Sequence, residues 1–154
     1  MKPIAFTYHL KDIHVAAAKV LEHLHSKTIL FYGPMGAGKT TLISALLKAM
    51  QSKDAASSPS FSIVNTYSLP HDMVYHFDFY RIESIEEALN FGVEEYFNTE
   101  HWLFIEWPDR VEALLPKDAQ HISITPIDDN TRSLKLTIQT KQLTKTNAMT
   151  TVKI

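Results

Sequence analysis

The chain has 154 residues, of which 45% are hydrophobic and 21% are charged, and its formal net charge is −2. These values are typical of a single soluble globular domain, and the charge gives no general attraction to DNA, RNA or an anionic membrane. The absence of cysteine excludes disulfides, thiolate metal sites and a cysteine nucleophile. No apolar run approaches the roughly 20 residues that a membrane helix needs, so we expect a cytoplasmic protein with no membrane partner.

The first half of the chain shows a helix–strand–loop–helix pattern followed by two β-rich runs. Apolar residues at three- and four-residue spacing in KDIHVAAAKVLEHLH predict a helix, and the apolar run TILFY predicts a buried strand that ends at Gly33. A second amphipathic helix is predicted after a glycine-rich loop, with its apolar positions between Leu42 and Met50. Only five residues separate FSIVNTY from MVYHFDFY, too few for a parallel crossover, so we expect an antiparallel hairpin in a mixed sheet.

The second half of the sequence predicts shorter helices and strands. Ser84 and Glu87 form a capping-box pattern that begins a helix, and Gly92 is expected to end or bend it. WLFIE predicts a buried strand, PDRVEALL a short helix closed by Pro116, and HISITPI and RSLKLTI two late strands. Residues from about Lys141 onward are polar and threonine-rich, which predicts a frayed tail. With no internal repeat in view, we expect one domain over residues 1–154.

Three of the four glycines lie within six residues, in the stretch FYGPMGAGKTTL. Read from Gly33, this stretch matches the P-loop pattern G-x-x-x-x-G-K-T, whose backbone N–H groups cradle phosphates at a helix N-terminus. Gly36 and Gly38 suit such a loop because they have no Cβ to obstruct the anion. Lys39 would reach the β- and γ-phosphates, and Thr40 would offer its hydroxyl to Mg²⁺. The strand before the loop and the helix after it are the context this motif requires, so we predict a nucleotide site.

The rest of the sequence narrows the choice of nucleotide and of enzyme class. Neither N-K-x-D nor D-x-x-G, the usual guanine and γ-phosphate motifs of GTPases, occurs in the chain, which favours ATP. Small-molecule kinases usually clamp the transferring phosphoryl group with several arginines. This chain has only Arg81, Arg110 and Arg132, which disfavours a kinase acting alone.

A second acid is expected to hold Mg²⁺ at the end of an apolar strand. Glu106 ends WLFIE and has the spacing of a Walker B acid, with Glu in place of Asp. Asp78, in YHFDFYR, is two residues from His76 and therefore on the same strand face. From the residues alone, both acids remain candidates.

The segments GPMGAGKTTL, SSPSFSIVNTY, YHFDFYRI and FIEWPDR, in this order and spacing, closely resemble the TsaE (YjeE) family of bacterial ATPases over about residues 5–140. The resemblance implies an α/β, P-loop NTPase-like three-layer sandwich. It also implies a role in making threonylcarbamoyladenosine, the modified adenosine beside the anticodon of tRNAs that read ANN codons. The expected partners are TsaD and TsaB, in an ATP-dependent complex through which tRNA is met only indirectly.

The family resemblance also assigns roles to individual residues. The phosphates of ATP would lie on Gly36, Ala37, Gly38, Lys39, Thr40 and Thr41. Mg²⁺ would be held by Thr40 and Glu106, and Asp78 would lie beside the γ-phosphate to position or polarise the attacking water, with Lys39 as the second catalytic group.

Three further residues carry weaker expectations. Ser60 would belong to a nucleotide-sensing loop in which the family usually has Thr, and the guanidinium of Arg132 would lie against the adenine. Trp107 is interpreted either as a core aromatic that caps the sheet or as a nucleotide-linked residue. The eight histidines show no zinc-binding spacing and are interpreted as structural.

Two alternative functions stay open at this point. A small-molecule kinase would consume ATP faster in the presence of a low-molecular-weight acceptor. A nucleotide-gated binding module without productive hydrolysis would bind ATP and its partner normally after Asp78 is neutralised.

Overall fold

The computed structural model describes residues 3–54, 56 and 63–138, and one sheet contains all seven strands of this part of the chain. The strands are β1 (Ile4–His9), β2 (Thr28–Tyr32), β3 (Val64–Ser68), β4 (Met73–Asp78), β5 (Trp102–Glu106), β6 (Gln120–Pro126) and β7 (Thr131–Ile138). The helices are α1 (Ile13–Glu22), α2 (Lys39–Ala49), α3 (Ile85–Asn90) and α4 (Val93–Phe97), with 3-10 segments at Leu10–Asp12 and Pro108–Leu114.

The sheet is mixed, with the strand order β1-β7-β6-β2-β5-β4-β3. Its centre is parallel, because β2 pairs in parallel with β5 and β6 and because β4 pairs in parallel with β5. The outer pairs β3–β4, β6–β7 and β1–β7 are antiparallel, which confirms the predicted hairpin. The carboxyl ends of β2, β4 and β5 therefore meet at one edge, where open α/β sheets bind their ligands.

Both faces of the central strands are buried, and alternate side chains pack on opposite faces of the sheet. Ile29 and Phe31 of β2 belong to the hydrophobic cluster that contains α1 and α2, whereas Leu30 belongs to the cluster that contains α3 and α4. All three side chains are at most 2% exposed, and full burial of each contributes roughly 1.5–3 kcal/mol. The result is the expected α/β/α three-layer sandwich.

Several local signals are also confirmed. The backbone N–H of Glu87 donates to Ser84 Oγ over 3.2 Å, so Ser84 is the predicted N-cap of α3. Gly92 has a φ of 76° and separates α3 from α4, as expected for a residue that ends or bends the helix. No helix within the described ranges is long and apolar enough to cross a membrane.

Two elements differ from the sequence predictions. Strand β1 was not predicted, because it is an edge strand in which only Tyr8 is fully buried. The segment PDRVEALL forms a 3-10 segment with a kink at Val111, where φ is −132°, instead of a regular helix. The predicted frayed tail lies outside the described residues.

Candidate active site

A cleft of about 630 Å³ lies at the carboxyl ends of β2, β4 and β5. This volume lies in the range of small-molecule and cofactor sites. The loop after β2 and the first turn of α2 contribute residues 35–41 to its lining, Asp78 ends β4, and Glu106 ends β5. The topology thus brings the P-loop and both candidate acids to one cavity.

The backbone of the loop depends on two glycines, Gly33 and Gly38. A Cβ placed on Gly33 would lie 2.8 Å from the carbonyl oxygen of Ile124 on β6, so the loop leaves β2 through a gap that admits glycine alone. Gly38 has a left-handed backbone with φ of 101° and is the residue before α2. The amino end of α2, the positive end of its dipole, therefore opens onto the cleft.

Lys39 begins α2 and is 6% exposed. Its Nζ donates to the carbonyl oxygen of Gly33 over 2.5 Å and lies 3.4 Å from that of Pro34. Burial lowers the pKa of Lys39, and the charges of Glu106 and Asp78 oppose this effect. An ammonium group has three N–H donors, so the two loop carbonyls leave one for a ligand in the cleft.

Glu106 is 3% exposed and joins the sheet to the P-loop helix. Its Oε2 accepts a hydrogen bond from the Thr40 hydroxyl over 2.9 Å and lies 2.7 Å from Nε2 of His76. The other ring nitrogen of His76, Nδ1, is 3.0 Å from the hydroxyl of Tyr67. The two predicted metal ligands, Thr40 and Glu106, are therefore in direct contact.

The oxygen donors of Thr40 and Glu106 suit Mg²⁺, a hard cation that proteins commonly hold through one or two carboxylates together with substrate phosphates and water. Among the described residues, no group of three or more His, Cys, Asp or Glu side chains is placed to hold a metal ion by itself.

Asp78 lies next to Glu106, since the two residues are register partners in the parallel pair β4–β5. Burial raises the pKa of Asp78, the N–H of Tyr80 donating to Oδ1 over 3.0 Å lowers it, and the charge of Glu106 raises it. The net effect is a raised pKa. Asp78 therefore holds a proton at higher pH than an ordinary aspartate does.

Trp107 follows Glu106 and has a left-handed backbone with φ of 55° and ψ of 49°. This conformation is uncommon for a bulky residue and is often found at functional sites. The indole ring lines the cleft, with Nζ of Lys39 4.1 Å from its centroid, and also packs against the hydrophobic cluster under α3 and α4. Trp107 thus packs against the core and also lines the cleft, and its link to a nucleotide stays a prediction.

Arg132 contacts the P-loop through the backbone. It is 8% exposed, and its Nε donates to the carbonyl oxygen of Ala37 over 2.8 Å. Its NH1 donates to the carbonyl oxygens of Asp128 and Thr131. These bonds hold the loop in place, and the contact of Arg132 with adenine stays a prediction. Ser60 lies outside the described residues.

The contact of His76 with Glu106 was not predicted from the sequence. We interpreted the histidines as structural, yet His76 is fully buried and contacts the carboxylate of Glu106. The available signal was its two-residue spacing from Asp78, which puts both side chains on one strand face. That spacing did not reveal which side chain on β5 would lie opposite.

Comparison with known proteins finds similar sequences over most of the chain. Residues 7–134 match the family model described as "Threonylcarbamoyl adenosine biosynthesis protein TsaE". A Haemophilus influenzae protein named "tRNA threonylcarbamoyladenosine biosynthesis protein TsaE" is 36% identical over 126 residues, which cover 80% of this chain and 79% of that protein. A Bacillus subtilis protein with the same name is 31% identical over 105 residues, covering 68% of this chain and 65% of the relative.

The fold is also similar to a solved structure. The crystal structure of Bacillus subtilis YdiB superposes with a TM-score of 0.69 at 22% sequence identity and covers 90% of this chain and 86% of that one. This similarity confirms the predicted α/β fold.

Proposed function

The chain belongs to the TsaE family of tRNA threonylcarbamoyladenosine biosynthesis proteins, and from this premise we propose that it is a weak, Mg²⁺-dependent ATPase of that pathway. The observation that carries the proposal is the contact between the Thr40 hydroxyl and Glu106 Oε2 at the mouth of a P-loop. A hydroxyl on the first turn of the loop helix, next to a strand-end acid, is the pair that P-loop ATPases use to hold Mg²⁺.

The proposal assigns a role to each of the predicted site residues that lie in the cleft. The loop N–H groups and the amino end of α2 bind the phosphates of ATP, and the ammonium of Lys39 contacts the β- and γ-phosphates. Thr40 and Glu106 would hold Mg²⁺, which would supply positive charge to offset the negative charge that develops on the phosphate during transfer.

Asp78 orients the water that attacks the γ-phosphorus. As the new P–O bond forms, the bond to the oxygen between the β- and γ-phosphorus breaks, giving ADP and inorganic phosphate. The raised pKa of Asp78, caused first by its burial, makes its carboxylate a better proton acceptor for this water than an exposed aspartate.

We further propose that TsaD and TsaB act on this ATPase cycle from the open side of the cleft. Of the three arginines, Arg81 lines the cleft, whereas Arg132 and Arg110 donate to backbone carbonyl oxygens. The described site therefore has few cationic side chains that could stabilise the transferring phosphoryl group. A partner that supplies such groups accelerates comparable P-loop enzymes by about 10³–10⁵-fold.

The rim of the cleft supports a protein partner. Met35, Tyr80 and Phe91 line the cleft and are 63%, 43% and 51% exposed. Exposed apolar side chains grouped at one mouth are typical of a protein-binding surface. With a net charge of −2, the chain is expected to meet tRNA only through its partners.

The test is the steady-state release of phosphate from ATP by the purified protein, alone and with purified TsaD–TsaB. We expect slow hydrolysis alone and a several-fold change of rate with the partners. If the partners change neither the rate nor ATP affinity, and a small-molecule acceptor accelerates turnover, a kinase function replaces the proposed one. ATP and partner binding without measurable hydrolysis under any condition would favour a nucleotide-gated binding module.

A further inference from the structure

We propose that His76 is a positioning residue for the metal site: it fixes the carboxylate of Glu106 in the orientation that faces Thr40. This inference rests on the proposed role of Glu106 as a ligand of Mg²⁺. It is carried by a line of hydrogen-bond contacts that begins at Tyr67 on β3, crosses His76 on β4 and Glu106 on β5, and ends at Thr40 on α2.

The strand register explains why these side chains meet. His76 is the register partner of Phe104, and Glu106 is two residues further along β5, on the same face of the sheet. This face packs against α2, since Phe104 belongs to the hydrophobic cluster that includes the α2 residues Leu42 and Leu46. An imidazole on β4 therefore reaches diagonally to the strand-end acid, beneath the helix that carries Thr40.

Both nitrogens of the imidazole ring are engaged. The carboxylate of Glu106 is an acceptor, so Nε2 of His76 carries the hydrogen that it donates to Oε2 over 2.7 Å. In the neutral ring Nδ1 is then an acceptor, and the hydroxyl of Tyr67 donates to it over 3.0 Å. Tyr67 is only 4% exposed, and its hydroxyl also accepts a hydrogen bond from Nδ2 of Asn65 over 3.4 Å.

The arrangement constrains one specific oxygen. Oε2 of Glu106 accepts from His76 and from Thr40 at the same time, and two donors from different elements restrict rotation of the carboxylate. His76 is fully buried, so water cannot easily replace its N–H if the side chain is removed. Such outer contacts orient the ligands of metal sites, and their loss commonly lowers metal affinity by about 10–100-fold.

The decisive variant is His76→Phe, which keeps a ring of similar size in the core and removes the donor to Glu106. Nucleotide binding is measured by calorimetry with ADP over a series of Mg²⁺ concentrations and in excess EDTA. We expect the Mg²⁺ concentration that gives half of the Mg²⁺-dependent gain in affinity to rise about 10-fold or more. ADP affinity in EDTA should stay within about twofold of the original, because the phosphate loop itself is unchanged.

The chain offers a matched control at the amino ends of the same two strands, away from the cleft. Nδ1 of His101 lies 2.7 Å from Oδ1 of Asp72, a histidine–carboxylate pair of the same length just before β5 and β4. His101→Phe should leave the Mg²⁺ dependence of ADP binding unchanged. His76→Gln, which retains an N–H donor, should fall between the original protein and His76→Phe.

The outcomes separate this inference from the function on which it rests. If Glu106→Gln shifts the Mg²⁺ dependence and a folded His76→Phe does not, the positioning role of His76 is wrong while the metal role of Glu106 survives. If neither variant shifts it, both proposals are wrong. Should His76→Phe fail to fold, Tyr67→Phe, which releases Nδ1 alone, must shift the dependence in the same direction by a smaller factor, and an unchanged value overturns the inference.

Discussion

Asp78 and Glu106 are register partners at the ends of two parallel strands, so two carboxylates lie side by side in one wall of the cleft. Their surroundings differ. Glu106 is almost fully buried and accepts from Thr40, whereas Asp78 is half-buried and accepts from the backbone N–H of Tyr80. Two acids in different environments are suited to different tasks, and the first predictions separate them.

Asp78→Asn should slow ATP hydrolysis by about 10²-fold or more while ATP affinity stays nearly unchanged, because the amide cannot accept a proton from the attacking water. Single-turnover hydrolysis and calorimetry with a non-hydrolysable ATP analogue measure the two quantities separately. A loss of affinity with an unaffected rate of hydrolysis would assign Asp78 to the metal instead.

Asp78→Asn should also stabilise the fold at neutral pH. A carboxyl with a raised pKa is protonated in both states below its ordinary value of 3.8, and as the pH rises the unfolded chain releases the proton more readily than the folded protein does. The folded state therefore loses stability as the pH rises through this window, and asparagine avoids the loss.

We expect the Tm of Asp78→Asn to exceed that of the original protein by about 1–3 °C at pH 7, with a smaller difference near pH 4. Thermal melts at both pH values provide the measurement. A difference that grows on acidification would show that the sign of the pKa shift is wrong.

Glu106→Gln should weaken nucleotide binding in Mg²⁺ and leave binding in EDTA nearly unchanged. The amide keeps an acceptor for the Thr40 hydroxyl but lacks the negative charge that a Mg²⁺ ligand supplies. Titrations of ADP with and without Mg²⁺ measure this split. Equal losses in both conditions would instead indicate a general distortion of the loop.

Lys39→Ala should abolish measurable ATP binding, because it removes the loop's mobile cation for the β- and γ-phosphates. It also removes the bond from Nζ to the carbonyl oxygen of Gly33. Calorimetry is the direct assay, with circular dichroism to verify the fold. Unchanged ATP affinity in a folded variant would contradict the P-loop assignment.

The partner prediction concerns the apolar rim. Phe91→Ser should weaken the binding of TsaD–TsaB by about 10-fold, the order of one well-buried interface aromatic. Val15→Ser is the matched control, since Val15 is 56% exposed but lies on α1, outside the described lining of the cleft. Binding is measured with labelled protein, with and without ATP.

Equal losses of partner affinity in Phe91→Ser and Val15→Ser would show that the partner does not use the rim.

By thermodynamic reciprocity, ATP that tightens partner binding must itself bind more tightly in the complex.

Much of the fold was predictable because its signals are local. The buried strand TILFY, the Ser84 cap and the short connection between β3 and β4 each depend on a short stretch of sequence. The P-loop was recognisable for the same reason. Edge strand β1 was missed because its burial is largely one-sided and a single residue, Tyr8, is fully buried.

The remaining parts of the site depend on contacts between distant segments. The contact of His76 with Glu106 exists only once β4 and β5 are paired in one register, and no spacing within either strand encodes it. The bond from Arg132 to the Ala37 carbonyl likewise joins residues 95 positions apart. Single-sequence patterns describe periodicity within an element and carry little information about which elements become neighbours.

The close approach of Gly33 to the Ile124 carbonyl links the shape of the phosphate loop to a strand that is synthesised much later. The phosphate loop is supported from the side by β6 and by Arg132, which are synthesised about 90 residues after it. Strand β2 also lies between β5 and β6, both of which follow it in the chain. A nascent chain that ends before β6 therefore lacks the wall against which the loop is shaped. Because non-local contacts form slowly, we expect the proposed nucleotide binding to arise only when nearly all of the sheet has assembled, so that ligand binding would report on completed folding.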